Sequence, residues 1–576
     1  MKHIYIIIAL LVISHLKGRA EVDPNFYIYL CFGQSNMEGR AAAEDIDYYV
    51  DPRFQMMATC DFTTPQRTTG EWYTATPPIV NPERGIGMAD YFGRTMVAAL
   101  PPEIKVGVID VAIGGISIEG FIPDELESYL KDAPEYIKEG VKVYGNNPYQ
   151  RLVDLGRAAQ KAGVIKGVLL HHGEANNGNG EWPEKVEKVY TSLLKDLNLK
   201  AEDVPLFAGE VVGTEYSGTC ALNNVIINKL PELLNTAYII PSNGCPPQAD
   251  KLHFSAVGYR IMGKRYAYEV LRSMGLEVKA NSKYEFPDHL KDFYTLTNLN
   301  ETDEVSIKTG RSAKLSFWGT FADGHSEDLT NETTFTSDDF KIDGSVITAE
   351  KAKKGTVTAT HKDFFGRTHT SHIPINAIDM GANRLLVVDN GEAGENLWDK
   401  QCNTILETPM KAGCTYIIKA TIKSENSDAV IWPIMTRYGS DGSNNINYLD
   451  FITPTPFFIE YTWEFMADHD YENIQFEFGR LGGKTYFDDV SCKEKGTDIE
   501  MISNGDFEND DLSKWSIIMD SQSYSIEYEN KPNGIKTHTV SRESANPVYH
   551  DLKGLLIHTP TKGIYIKDGK LIIIKN

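Results

Sequence analysis

A serine follows directly on an apolar run near the start of the chain, within residues 33–37, Gly-Gln-Ser-Asn-Met. The run, residues 27–32, is short, continuous and ended by a glycine, which indicates a buried strand that meets a tight turn. In an open α/β sheet, ligands bind beyond the carboxyl ends of the strands, where the first N–H groups of the next helix point outward. Ser35 therefore has the position of a nucleophile, provided that a base lies within hydrogen-bond distance.

A histidine suited to be that base lies much further along the chain, in residues 250–253, Asp-Lys-Leu-His. His253 precedes a helix predicted over residues 256–271, and Asp250 lies three residues before it. Because a tight loop brings residues i and i+3 together, Asp250 can accept the Nδ1–H of His253. That bond fixes the tautomer and stabilises the imidazolium. The three side chains together predict acyl transfer by a serine nucleophile.

Two further segments between these motifs also follow predicted strands. Residues 112–117 read Ala-Ile-Gly-Gly-Ile-Ser, and a glycine there lets a backbone N–H approach a ligand closely, which suits an oxyanion donor. Residues 169–176 read Leu-Leu-His-His-Gly-Glu-Ala-Asn and place polar side chains just past a buried strand. Both segments are consistent with groups gathered at one edge of a sheet.

The elements that must position these groups alternate between apolar strands and helical stretches from about residue 23 to residue 274. Continuous apolar strands alternating with helices predict a parallel sheet covered on both faces. The later predicted strands are 106–113, 167–171, 205–209 and 237–241, and the helices include 149–162 and 184–197.

The four segments resemble the SGNH hydrolase superfamily, specifically its sialate O-acetylesterase-like branch, which includes the acetylxylan esterases of carbohydrate esterase family 6. The resemblance covers roughly residues 24–275. It implies a three-layer α/β/α domain with a flavodoxin-like parallel sheet, and an esterase that needs no metal or organic cofactor. It also implies Ser35 as nucleophile, His253 as base, and the N–H groups of Ser35 and Gly115 as part of the oxyanion hole. We predict that the residues contacting the substrate are Gln34, Asn36 and Arg40.

One position departs from the branch, whose third segment reads His-Gln-Gly-Glu. The glutamine is thought to donate to the oxyanion, and here the position is His172. A neutral histidine still has one N–H donor, so we predict that His172 takes this role, with Asn176 as a substitute. Glu174 matches an acidic residue that is sometimes assigned as the partner of the catalytic histidine. Asp250 and Glu174 therefore both stand as candidates to orient His253.

Charge and length limit the classes of function. The chain has 576 residues, too many for one core, and 80 acidic against 57 basic residues give a formal net charge of -23. This balance argues against nucleic acid or an anionic membrane surface as partner. Seven scattered cysteines are not a disulfide framework, although Cys220 with Cys245, or Cys402 with Cys414, could pair in an oxidising compartment.

The N-terminus predicts export. Residues 1–20 have a charged start, an apolar block at 4–13 and a small-x-small site ending at Ala20, which is typical of a cleaved signal peptide. The block is shorter than the ~20 residues of a spanning helix, so we predict no membrane insertion and a secreted or cell-surface protein of a bacterium.

The domains predicted after the esterase domain are rich in β-strands. An esterase domain over 21–280 is followed by a β-sandwich over 281–380 that resembles bacterial Ig-like modules, and by a jelly roll over 381–497 that resembles carbohydrate-binding modules. Exposed aromatic residues there could stack on sugars. Residues 498–546 are predicted as a linker or partial module. Residues 547–576 resemble a type IX secretion sorting segment, which makes the outer-membrane secretion machinery a possible partner. The candidate sugar-stacking residues are Trp398, Trp432, Tyr438 and Trp463.

These predictions together favour an exported carbohydrate O-acetylesterase with an acetylated glycan as substrate. A polymer such as xylan is preferred, because the β-rich modules suit a polysaccharide and the acidic chain suits a neutral one. A sialate O-acetylesterase is the alternative within the enzyme class. A cell-surface glycan-binding protein with an impaired hydrolase domain is the alternative from another class.

Overall fold

The computed structural model describes residues 22–216, 218–299, 304–427, 429–439, 444–518 and 523–530, and four short C-terminal strands. The predicted signal peptide, residues 1–20, and residues 531–546 of the predicted linker lie outside the described residues. The chain divides into two compact units. The first comprises the described residues before 301 together with 317–333 and 360–371, and the second comprises 304–316, 334–359 and the described residues from 372 onward.

The first unit is built on a seven-stranded sheet in the order β5-β2-β6-β1-β7-β8-β9. All neighbouring strands are parallel except the edge pair β2 and β5. Its strands are β1 (Phe26–Gly33), β2 (Phe54–Met57), β5 (Trp72–Thr74), β6 (Lys105–Ala112), β7 (Val164–His171), β8 (Leu206–Gly209) and β9 (Ala237–Ile240), and a small hairpin is formed by β3 (Phe62–Thr63) and β4 (Gln66–Arg67).

The strand order places β1 at the point where the winding of the sheet reverses. From β1 the chain builds β6 and β2 on one side and β7, β8 and β9 on the other. The crevice beyond the carboxyl ends of the strands at such a point is where open α/β sheets bind ligands. The segments after β1, β6 and β7 therefore meet at one place.

Helices cover both faces of this sheet, and each face has its own apolar core. One core includes Met96, Phe92, Tyr259 and Ile261, and the other includes Leu152, Val189 and Leu193. Nearly every residue of the central strand is buried, which explains its continuous apolar sequence. The helices are α1 (Ser35–Glu38), α2 (Met88–Ala99), α3 (Leu126–Asp132), α4 (Glu135–Val143), α5 (Pro148–Ala159), α6 (Trp182–Leu197), α7 (Asn223–Ile227), α8 (Leu230–Leu233), α9 (Ala256–Ser273) and α10 (Asp288–Tyr294).

The predicted α/β domain followed by a β-rich region is confirmed. A three-stranded antiparallel sheet, β10-β13-β14, also belongs to the first unit. The division of the region after residue 280 into an Ig-like sandwich and a jelly roll stays a prediction. The strands between the large sheet and residue 380 are β10 (Leu296–Leu299), β11 (Val305–Lys308), β12 (Ser312–Lys314), β13 (Trp318–Phe321), β14 (Ser326–Asp328), β15 (Thr333–Thr336), β16 (Lys341–Asp343), β17 (Val346–Thr348), β18 (Lys353–Lys362) and β19 (Thr368–Ile378).

The second unit contains two five-stranded antiparallel sheets, β25-β22-β27-β20-β29 and β24-β23-β26-β21-β28. One apolar core includes side chains from both sheets, such as Ile418, Phe487, Ile474 and Phe476. The strands are β20 (Asn383–Asp389), β21 (Gln401–Met410), β22 (Thr415–Ser424), β23 (Trp432–Tyr438), β24 (Asn444–Tyr448), β25 (Ile459–Met466), β26 (Tyr471–Glu477), β27 (Lys484–Glu494), β28 (Trp515–Ile518) and β29 (Ser523–Asn530).

The predicted boundary after residue 497 is too early. Strand β28 pairs with β21, and β29 pairs with β20, so residues 515–518 and 523–530 complete these two sheets. Part of the predicted linker or partial module, residues 498–546, therefore belongs to these two sheets. In the predicted sorting segment the structure describes only β30 (Tyr549–His550), β31 (Leu556–Ile557), β32 (Gly563–Lys567) and β33 (Lys570–Ile574).

Two further findings concern cysteines and membrane spans. All seven cysteines lie among the described residues, and each is a free thiol. The two disulfide bonds considered from the sequence, Cys220 with Cys245 and Cys402 with Cys414, are therefore not formed. Within the described part of the chain, no helix has the length and apolarity needed to cross a membrane.

Candidate active site

Ser35 is the first residue of α1, directly beyond the end of β1. Gly33 ends the strand against β7, and a Cβ on it would lie 2.2 Å from the carbonyl oxygen of His171, so no other residue fits there. The N–H of Gln34 donates to the same carbonyl at 3.2 Å. The close approach of this backbone to that of β7 fixes the turn. Because Ser35 is in the first turn of its helix, its N–H has no partner within that helix.

His253 bridges Ser35 and Asp250. Its Nε2 lies 2.9 Å from the Oγ of Ser35, and its Nδ1 lies 2.7 Å from the Oδ2 of Asp250. Both distances are normal hydrogen bonds. The serine hydroxyl, the imidazole and the carboxylate thus form one continuous chain, in the geometry that lets a histidine take the proton of a serine.

Asp250 also shapes the turn that carries His253. Its Oδ1 accepts from the N–H groups of Leu252 and His253, each at 3.0 Å. Lys251 completes the turn with a φ of +56°, a left-handed conformation that non-glycine residues seldom adopt. Burial by itself would raise the pKa of Asp250, but the hydrogen bonds from His253 and Leu252 outweigh it and hold the pKa below its usual value. The carboxylate therefore stays charged beside the ring.

The side-chain amide of Asn36 joins the serine turn to the histidine loop. Its Nδ2 donates to the carbonyl of Leu252 at 3.0 Å and to Oε1 of Glu174 at 2.5 Å. Its Oδ1 accepts from the N–H of Phe254 at 3.2 Å and from the hydroxyl of Tyr259 at 2.7 Å. We call these four bonds the Asn36 clamp. Asn36 is fully buried, so its predicted contact with substrate is wrong.

Glu174 is bonded to this clamp and not to His253. Its side chain is 4% exposed, and its Oε1 lies 3.9 Å from the Nε2 of the buried His171. Burial raises the pKa of Glu174, and the hydrogen bond from Asn36 and the nearby His253 offset part of that rise. The geometry thus favours Asp250 over Glu174 as the group that orients His253.

Gly114 and Gly115 follow β6 at the same edge of the sheet. Gly115 has a φ of +77°, a conformation that favours glycine. A Cβ on Gly115 would lie 3.0 Å from the hydroxyl of Tyr136 in α4, and one on Gly114 would lie 1.9 Å from Nη2 of Arg40. The glycine pair thus lies between Tyr136 and Arg40, of which Tyr136 is 64% exposed.

His172 is not available as an oxyanion donor, which corrects the sequence prediction. Its Nδ1 accepts from the indole N–H of Trp182 at 3.0 Å, so its only proton lies on Nε2, which donates to the carbonyl of Ile116 at 3.0 Å. The ring is fully buried. His172 therefore supports the backbone that follows Gly115, and both of its nitrogens are occupied.

Burial lowers the pKa of His172 to about 4, although the bond to Ile116 opposes this. Because the unfolded chain binds the proton near pH 6.5, the folded state loses stability as the pH falls from 6.5 towards 4. Between pH 7 and 4.5 we expect a His172→Gln variant to lose about 2 kcal/mol less free energy of unfolding than the wild type. Urea unfolding of the intact chain, followed by hydrogen exchange in β7, measures the difference. Replacing the exposed His372 is the control, and equal losses in His172→Gln and wild type would contradict the assignment.

Asn176 and Gln34 are also bonded within the protein. Asn176 accepts from the N–H of Ile118 at 2.9 Å and donates to the carboxylate of Glu119, at 3.0 Å to Oε2. The Oε1 of Gln34 accepts from the N–H of Ala175 at 3.1 Å. Both residues are buried. The predictions of Asn176 as an oxyanion donor and of Gln34 as a substrate contact are therefore corrected, because both side chains bond to neighbouring loops instead.

Of the three predicted substrate contacts, Arg40 has the most accessible side chain. It is 32% exposed, and its Nη2 lies 2.9 Å from Oε2 of Glu38. Across residues 22–530 as far as they are described, no group of three His, Cys, Asp or Glu side chains is placed to hold a metal ion.

In one sheet of the second unit, Gln475 and Glu477 of β26 alternate with the core residues Ile474 and Phe476, and both polar side chains are themselves buried. Gln475 donates to Oε1 of Glu477 at 2.9 Å, and the hydroxyl of Tyr438 lies 3.5 Å from Oε1 of Gln475. Trp398 and Tyr438 are exposed, at 58% and 52%. Trp463, which the sequence also suggested for sugar stacking, is instead buried in the core, and its indole donates to the carbonyl of Asp450.

The sequence did not indicate several residues that shape the site. Tyr259 and Trp182 lie on helices whose pattern shows only that they face inward. Asn81 lies in a loop without a recognisable motif. Only the position of Asn36 next to the serine was a usable signal, since a side chain that near the nucleophile must face either the cleft or the histidine loop.

Residues 25–272 match the family model of carbohydrate esterases described as sialic acid-specific acetylesterases. The match covers the seven-stranded sheet and the groups around Ser35 and His253, but not the second unit. It supports an esterase that acts on carbohydrate, and the predicted resemblance of this domain to the carbohydrate esterases is confirmed. The assignment to carbohydrate esterase family 6 stays a prediction.

Several solved structures are similar at low identity. A carbohydrate acetylesterase from Xanthomonas citri is 15% identical, with 61% of this chain and 79% of that chain covered and a TM-score of 0.33. NanS is 17% identical over 44% of this chain and 99% of that chain, with a TM-score of 0.34. A two-domain esterase active on acetylated mannans is 10% identical over 85% of this chain and 95% of that chain, with a TM-score of 0.25. At these values none of them identifies the substrate of this chain.

Proposed function

We propose that the first unit is a serine-dependent carbohydrate O-acetylesterase. The observation that carries the proposal is the chain of hydrogen bonds from Ser35 through His253 to Asp250, with distances of 2.9 and 2.7 Å. The match of residues 25–272 to a carbohydrate esterase family supports it.

In the proposed reaction, Ser35 Oγ attacks the acetyl carbonyl while His253 Nε2 accepts the hydroxyl proton. Asp250 stabilises the imidazolium that results. The N–H groups of Ser35 and Gly115 donate to the tetrahedral oxyanion. The C–O bond to the sugar then breaks, and His253 returns the proton to the departing sugar oxygen. His253 then takes a proton from water, whose oxygen attacks the acetyl-Ser35 carbonyl. The bond between that carbonyl carbon and Ser35 Oγ breaks, His253 returns the proton to Oγ, and acetate leaves.

The proposed substrate is an O-acetylated glycan, and we propose that the enzyme itself is exported. The N-terminal signal pattern supports a secreted or cell-surface location, with the outer-membrane secretion machinery as a partner. The exposed aromatic side chains of the second unit would hold the enzyme near a polysaccharide and raise its local concentration. Acetylated xylan is the preferred polymer, and O-acetylated sialic acid is the second candidate because the matched family is described by that specificity.

Two measurements test the proposed function. Acetate release from acetylated xylan, acetylated mannan and O-acetylated sialic acid identifies the substrate. A fluorophosphonate, which forms a bond to an activated serine with loss of fluoride, should add to Ser35, and mass spectrometry of the peptides locates the adduct.

We expect the adduct on Ser35 in the wild type and none in a His253→Ala variant, with Ser273, a helix serine, unlabelled in both. No acetate from any substrate together with no adduct on Ser35 would leave the other candidate, a glycan-binding protein without esterase activity.

A further inference from the structure

A buried carboxylate beside the proposed nucleophile contacts two arginines. Glu38, the last residue of α1, is 4% exposed, and its Oε2 lies 2.9 Å from Arg40 Nη2 and 2.9 Å from Arg84 Nε. Its Oε1 accepts from Asn81 at 3.0 Å. One guanidinium is enough to neutralise one carboxylate, so the trio has a net positive charge.

Close backbone packing fixes both arginines on one wall. Gly39 has a φ of +90°, and a Cβ on it would lie 2.6 Å from the carbonyl of Ile86. The N–H of Ile86 donates to the carbonyl of Ala41 at 2.9 Å, which joins the segment after α1 to the loop that contains Arg84. The two guanidinium groups are therefore held in place before any ligand arrives.

This wall adjoins the proposed oxyanion site. The guanidinium of Arg40 lies directly against Gly114, so near that a Cβ there would be 1.9 Å from Nη2. Gly115, the next residue, supplies the proposed oxyanion N–H. A group bound at Arg40 would therefore be a close neighbour of an acetyl group attacked by Ser35.

The arginines face a groove rather than the protein interior. Arg40 and Arg84 keep 32% and 25% of their side-chain surface accessible. Both line a cavity of about 380 Å³, together with Tyr48, Pro77 and Pro78. That volume lies in the range of small-molecule sites. Glu83 also lines it, but its side chain is 83% exposed and 4.0 Å from Arg84, so solvent weakens its competition for the guanidinium.

We propose that Arg40 and Arg84 form a subsite for the carboxylate of an acidic sugar, a sialate or a uronate, which carries the acetyl ester or lies next to it. The inference rests on the proposed function for the reaction, but its binding part stands by itself. A planar guanidinium presents paired N–H donors that match a carboxylate. A role restricted to neutralising Glu38 would give no preference between an acidic sugar and its neutral ester.

Matched substrates test this preference. Two pairs are used: an O-acetylated sialic acid and its methyl ester, and an O-acetylated glucuronic acid and its methyl ester. We expect kcat/KM to favour the free acid over the ester by about tenfold or more in one pair, as for a hydrogen bond to a charged group. The effect should lie in KM and should weaken in high salt. The pair with the larger ratio distinguishes sialate from uronate.

Variants assign the preference to the arginines. Arg84→Gln should bring the acid-to-ester ratio close to one, and Arg84→Lys should keep part of it because the charge remains without the planar fork. Arg157→Gln, which removes an exposed arginine from α5, should leave the ratio unchanged. Thermal unfolding shows whether each variant is folded.

The outcomes separate this inference from the proposed function. The wild type could hydrolyse p-nitrophenyl acetate but show equal kcat/KM for the free-acid sugar and its methyl ester in both pairs. That result overturns the inference and leaves the esterase proposal in place. If no acetyl ester is hydrolysed, the esterase proposal fails. Calorimetric titration with N-acetylneuraminic acid, glucuronic acid and their methyl esters then tests whether the arginines bind a sugar carboxylate. Tighter binding of a free acid that Arg84→Gln abolishes supports it, and equal binding of acid and ester overturns it.

Discussion

Replacing either Ser35 or His253 with alanine is expected to lower kcat for acetyl ester hydrolysis by about 10⁴-fold or more. The double variant should be scarcely slower than either single one. The reason is the shared bond between Ser35 Oγ and His253 Nε2: without the base the hydroxyl is a weak nucleophile, and without the hydroxyl the base has nothing to deprotonate. Initial rates of acetate release from p-nitrophenyl acetate measure all three variants.

Matched controls exist in the same unit. His369 contacts an aspartate much as His253 does, with Nε2 2.9 Å from Oδ2 of Asp363. Ser273 donates to a backbone carbonyl. His369→Ala and Ser273→Ala should keep the wild-type rate. Multiplicative losses in the Ser35/His253 double variant would mean that the two residues act independently, and the proposed mechanism would be wrong.

The second large effect distinguishes the two carboxylates near the histidine. Asp250→Asn is expected to lower kcat by about 10² to 10⁴, because the amide cannot hold the imidazolium or fix its tautomer as the carboxylate does. The side chain of Asp250 is 47% exposed, so water can replace part of its effect. Glu174→Gln should change kcat by less than about tenfold, since a glutamine oxygen can still accept from Asn36. Steady-state kinetics between pH 5 and 9 measure both variants.

The pH profiles add an independent check on this pair. Because His253 must be neutral to act as base, loss of its charged partner should move the acidic limb of the Asp250→Asn profile to lower pH, in addition to lowering its plateau. Glu174→Gln should keep the wild-type shape. The opposite pattern, with a collapse in Glu174→Gln and a near-normal Asp250→Asn, would assign the orienting role to Glu174 through a geometry different from the one described here.

The sequence was a good guide wherever a local pattern determines position. An apolar run ended by a glycine places Ser35 at a strand end, and an aspartate three residues before a histidine forms its own turn. Strands such as β6 and β7 were recognisable because burial on both sides leaves only apolar residues in them. These features are properties of a few consecutive residues, so one sequence suffices to identify them.

The rest depended on partners far away in the sequence. Asn36 and His172 look like polar residues for a cleft, yet Tyr259 and Trp182 bind them in the interior. Such pairs are decided by packing between elements, which no local pattern records. The two short strands that complete the second unit, β28 and β29, were missed for a similar reason, because they are recognisable as strands only beside the sheets that they join.

The Asn36 clamp makes long-range order a condition for catalysis. Its amide bonds to the loop of His253 across 216 to 218 residues of chain, and to Tyr259 on the helix that follows that loop. Closing so long a loop has an entropic cost that is recovered only when the whole sheet and its covering helices are assembled. We therefore expect Ser35 and His253 to come into contact only when the whole sheet and its covering helices are assembled. A partly folded chain would contain both residues without the bond between them.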